Sequence, residues 1–126
     1  VRLLLSALIL ACGGVQAQSV VCHVDYGGAS RRIEAQPTEQ AYEVPTVQVG
    51  SYFLFKLVVE KEDEKTGVIK TYVYADRDAG PVPLHQAIFS WPVLNIGAYG
   101  FSGLHFVYEP VRDGELRYWC ELSEPS

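Results

Sequence analysis

The chain has 126 residues, 10 basic against 15 acidic side chains and a formal net charge of −5, which suits one small domain and repels phosphate backbones. No lysine- or arginine-rich patch offsets that charge, so nucleic acid is not an expected partner. The opening apolar run, residues 3–11, is far shorter than the roughly 20 residues a membrane-spanning helix needs, and no later segment is greasier.

In chain order, residues 1–17 read as a secretory signal peptide of bacterial type. Arg2 supplies the leading charge, residues 3–11 the apolar stretch, and Val15 and Ala17 the small residues before a cut. The mature domain is then 18–126, periplasmic or secreted. A rival processing exists in the same segment. Ile9-Leu10-Ala11-Cys12 resembles the lipobox of bacterial lipoproteins, and lipidation of Cys12 would tether the domain to the outer membrane. Either route leaves Cys22 and Cys120 as a pair.

Residues 19–26 alternate, with Val20, Cys22, Val24 and Tyr26 on one face. In residues 115–122, Leu116, Tyr118, Cys120 and Leu122 likewise share a face. Both thiols therefore point to the apolar side of a terminal strand, and in an oxidising compartment they are expected to form a disulfide. Between them the expected strands are 31–35, 42–49 (an edge or bent strand, because of Pro45), 52–60 (central), 68–75, 83–91 and 104–109. The charged run 60–67 is a hairpin tip in which Gly67 supplies a positive φ, and Asp113-Gly114 is a two-residue turn joining the last two strands. No segment has sustained helical periodicity. The expected fold is all-β: an antiparallel, immunoglobulin-like sandwich of about seven or eight strands, its first and last strands bridged.

Motifs for chemistry are sparse. His23, His85 and His105 lie on separate strands without metal-ligand spacing, and strand phase predicts that they do not converge, so no metal and no cofactor is expected. Asp76-Arg77-Asp78-Ala79-Gly80 begins like a calcium loop, but prolines follow and Ala87 occupies the position of the closing glutamate, so it reads as a turn. Gly100-Phe101-Ser102-Gly103 lacks a residue of the nucleophile elbow. No acid pair is singled out, and no catalytic residue is assigned.

The most unusual stretch runs from Ala79 to Tyr108, without one Asp, Glu, Lys or Arg. Its aromatics Trp91, Tyr99 and Phe101 are the candidate binding surface, for another protein or a small ligand. The general outline, a β fold with cysteines near both ends, is similar to that of the small periplasmic inhibitors of c-type lysozyme, but their Trp-x-Lys-Gly element has no counterpart here and no function carries over. The reading is an exported binding or interaction module. The alternatives are a hydrolase with a site assembled from scattered residues, and a periplasmic metal carrier using His23 or an outer-membrane lipoprotein.

Overall fold

A computed structural model describes residues 18–123. Residues 1–17, the expected leader with Cys12, lie outside them. Eight strands follow in order: β1 Ser19–Tyr26, β2 Ala29–Ala35, β3 Val47–Val49, β4 Phe53–Lys61, β5 Gly67–Arg77, β6 Gly80–Trp91, β7 His105–Glu109 and β8 Gly114–Ser123. They form two antiparallel four-stranded sheets, ordered β2-β1-β8-β7 and β3-β4-β5-β6. Their inner faces enclose one core built from both sheets, with Val24, Leu116 and Tyr118 from the first and Phe53, Phe55, Ile69 and Val73 from the second. The likeness to an immunoglobulin sandwich lies in these two facing sheets. The strand order itself is sequential around the pair, with β1 against β8 closing it.

Cys22 and Cys120 stand directly opposite in the β1–β8 register and are joined by a disulfide across 98 residues of sequence, both fully buried. The alternation that points them inward also places Val24 opposite Tyr118, so one register satisfies the bridge and the core together.

Several local expectations change. β2 begins earlier than expected because Gly27 and Gly28 both take positive φ and close a two-residue hairpin, the geometry that matches strand twist. Of residues 42–49 only the last three are strand. Ala41–Glu43 make one 3-10 turn, and Pro45 keeps Val44 extended. β3 is an edge strand and β4 an inner one, as expected. Gly67 does not need a positive φ; it is required because a Cβ there would lie 2.5 Å from the Glu60 carbonyl oxygen. The β7–β8 connection is a four-residue loop, 110–113, since Glu109 pairs with Gly114, and Asp113 carries the left-handed conformation at φ 54°.

The irregularity with the largest consequence is in β6. Val73 pairs with His85 but Tyr74 pairs with Pro83, so Leu84 is an extra residue, a β-bulge. It inverts the phase of the strand. Beyond it His85, Ala87, Phe89 and Trp91 lie opposite the inward-facing Val73, Thr71, Ile69 and Gly67, while Gln86, Ile88 and Ser90 turn outward.

Candidate functional site

β6 is the edge of one sheet and β7 the edge of the other. Side chains rather than a strand ladder fill the seam between them, and the bulge puts His85 there. Its Nε2 lies 2.6 Å from the Tyr118 phenol oxygen, which is also 2.8 Å from Thr71 Oγ1. His105 comes from β7, directly opposite Tyr118 in register, and its ring lies nearly parallel to the phenol ring at 4.9 Å. The two imidazoles are then 5.4 Å apart. The expectation that the histidines stay apart is therefore corrected for this pair. His85 shares a face with Phe89 and Trp91, His105 with the buried Val107 and Glu109; both faces turn inward, and the seam brings them together.

Thr71, Tyr118 and His85 Nε2 form one hydrogen-bonded chain, whose direction follows the His85 tautomer. His105 Nε2–H donates to the Ser102 carbonyl at 3.0 Å. Burial holds the Tyr118 phenol protonated, pushing its pKa up to about 12 against the lowering effect of the Thr71 hydrogen bond. Burial, and then the neighbouring His105, push the His85 pKa below its ordinary value. The arrangement thus favours a neutral imidazole flanked by a phenol. It offers no activated nucleophile, and among the described residues no three His, Cys, Asp or Glu side chains gather where a metal ion could sit.

One consequence is measurable. Unfolded His85 titrates near about 6.5, and the folded group titrates lower. Between those values the unfolded chain binds more protons, so stability is present above the unfolded value and is lost as pH falls through the folded one. The titratable groups packed on His85 are Tyr118 and His105. Urea unfolding from about pH 7.5 to about pH 5 should show this loss in the wild type and a flatter profile in His85→Gln. Superimposable profiles would refute it.

The three aromatics predicted as one surface are placed apart. Trp91 is core, 6% exposed, with Lys61 Nζ 4.9 Å from its ring centre. Phe101 is half-buried and packs edge-on against Phe89 at 5.3 Å. Only Tyr99 is exposed, edge-on to Trp119. The loop 92–104 that carries Tyr99 and Phe101 is firmly anchored. β8 extends past β7, and the loop takes the place of the missing strand. The Asn95 side-chain amide imitates a strand peptide, donating to the Leu122 carbonyl and accepting from the Leu122 N–H, both at 2.9 Å. Phe101 N donates to the Cys120 carbonyl at 3.1 Å, and Ser102 Oγ accepts from Cys120 N at 2.7 Å. Gly100, at φ +60°, is required here, because a Cβ would stand 2.1 Å from the Cys120 oxygen.

Elsewhere, His23 stacks on Trp119 at 4.2 Å and meets Glu121 at 2.9 Å. Asp76 belongs to β5, and Asp78 lies in the short turn that follows it. A further cluster had no sequence signal. Glu109 is 1% exposed; its carboxylate accepts from Arg77 at 2.8 Å and from the backbone N–H groups of Val111 and Arg112. Burial pushes this carboxyl up, but Arg77 and the two N–H groups outweigh it and hold the pKa below the usual range. It closes the β7–β8 loop and ties that loop to β5.

The uncharged stretch leaves six large apolar side chains in solvent, along with polar Gln86 and Ser90. Among the described residues nine large apolar side chains are exposed, and seven lie between Ile88 and Val111. Ile88 is on the outer face of β6, Leu94, Ile96 and Tyr99 are on the loop, and Phe106 and Tyr108 are on the outer face of β7.

No family model, no curated protein and no solved structure matches this chain.

Proposed function

We propose that the protein is an exported binding module that engages a partner protein through the outer surface of β6, β7 and the loop between them. The observation that supports this most is the concentration of exposed apolar side chains in one uncharged stretch, which holds six of the nine among the described residues, since scattered single exposures need no explanation but concentrated ones do. The anchoring of that loop on β8 supports it too, because a surface held in shape before binding loses less entropy on binding. A buried disulfide and the absence, among the described residues, of any helix long and apolar enough to cross a membrane are compatible with export. The periplasm, or the medium, is the proposed place of action, with residues 1–17 as the leader.

The test is a pair of outward substitutions, Ile88→Asp with Phe106→Asp, compared with the wild type for capture of partners from the host's exported fraction. The expected result is loss of a specific partner with thermal stability nearly unchanged. An unchanged set of captured proteins overturns the reading. Mass spectrometry of the purified chain reports its processing at the same time, since a chain beginning at Gln18 and one beginning at a lipidated Cys12 differ in mass.

A further inference from the structure

A concavity lies on the outer face of the β3-β4-β5-β6 sheet, bordered by Ile88, which pairs with its lining residue Lys70. It is a groove of about 810 Å³, within the range of small-molecule sites. One wall is the segment between β2 and β3, fastened to β4 where Thr38 N donates to the Val59 carbonyl at 2.9 Å. The floor includes Val58, only 2% exposed although it points away from the core. Beside it Tyr72 and Tyr74 lie with ring planes 11° apart and centres 6.1 Å apart. Lys56 Nζ sits 5.7 Å from the Tyr72 ring centre, and Tyr42 stands fully exposed at the lip.

The charges around the groove balance. Three lysines and three glutamates line it, and Lys70 and Glu60 already face each other at 3.5 Å. Such a lining has no net attraction for an anion or a cation. It offers flat apolar faces edged by hydroxyls, with hydrogen-bond donors and acceptors on both sides. A chain of neutral sugar rings has the complementary make-up, with flat C–H faces for the tyrosines and a rim of hydroxyls for the charged groups.

We propose that this groove binds a neutral oligosaccharide, its sugar rings lying on Tyr72 and Tyr74 and closed over by Tyr42. The site meets the proposed protein-binding surface at Ile88, the cross-strand neighbour of Lys70. The test titrates the disulfide-bonded chain, followed by amide NMR shifts, with three probes: a β-1,4-linked glucose hexamer, a β-1,4-linked N-acetylglucosamine hexamer, and a sulfated hexasaccharide. At least one neutral hexamer should shift amides of β4, β5 and residues 38–42 with a Kd below millimolar. Tyr42→Ala, at a side chain that supports no packing, should weaken it about tenfold, and Tyr72→Ala should abolish it. Tyr108→Ala and Phe106→Asp, both on β7 of the other sheet, should leave it unchanged, which separates failure of this site from failure of the other. No response to either neutral hexamer, tighter binding of the sulfated probe, or indifference to Tyr42→Ala overturns the proposal.

Discussion

Replacing Cys22 and Cys120 together by alanine should lower the stability of the domain by about 2–5 kcal/mol, and at about 4–8 °C per kcal/mol for a domain of this size the melting temperature should fall by on the order of 10 °C or more. The bridge spans 98 residues, so it restrains almost the whole unfolded chain, where its effect is largest. In the folded state it adds little restraint, because β1 and β8 are already paired in register on either side of it. Both cysteines are fully buried, so the alanine pair also loses packing. Unfolding under reducing conditions separates the two contributions, since it cuts the cross-link and keeps both sulfurs. The reduced wild type should fall between the oxidised form and the alanine pair. Equal melting temperatures for oxidised and reduced protein, with both thiols shown to be free, would refute the cross-link account.

The bridge was legible because two strands alternate cleanly and the thiols fall on their apolar faces. That kind of signal recovered the strands around Cys22, Phe55 and Cys120, where one face is buried and one is wet. It failed at three kinds of place. Residues 42–46 have strand-like composition, but Pro45 and a 3-10 turn interrupt the ladder. β6 has apolar residues in both phases, and the bulge at Leu84 decides between them without any marker in the sequence. The meeting of His85 and His105 lies across two sheet edges, and strand periodicity carries no information about which edges approach. Glu109 was invisible for a related reason: its cation comes from β5, and its other donors are backbone groups.

The uncharged stretch needs two explanations. Part of its lack of charge is structural. Its loop hydrogen-bonds to the β8 backbone over the disulfide, and β6 contributes Phe89 and Trp91 to the interior, places where an unpaired charge would be costly. That account covers His85, Phe89, Trp91 and Phe101. It does not cover Ile88, Leu94, Ile96 or Phe106, which face solvent and could carry charge without disturbing any contact described. Trp91 and Phe101, two of the three aromatics singled out from sequence, belong to the first group. The functional reading rests on the second, which alternation alone could not separate from the core.

Tyr118→Ala should cost about 3–5 kcal/mol, a large part of the roughly 5–15 kcal/mol that holds a small domain folded. Tyr118 is wholly buried and touches elements of both sheets. Its ring meets Phe55 edge-on at 5.1 Å and lies parallel to His105, and its hydroxyl joins Thr71 on β5 to His85 on β6. Tyr118→Phe isolates the hydroxyl. The ring contacts persist, but Thr71 and His85 Nε2 each lose a hydrogen-bond partner, and such losses at buried groups cost about 1–3 kcal/mol. Urea unfolding with an unchanged m-value is the measurement. If Phe is as stable as Tyr, the hydrogen bonds across the seam contribute nothing net and the aromatic packing alone joins β6 to β8. If Phe falls well below Tyr, the polar chain from Thr71 through Tyr118 to His85 holds the β6 edge of one sheet to the other. Ile88 and Phe106 project from the two strands beside that junction, so weakening it should also weaken partner binding through the proposed surface.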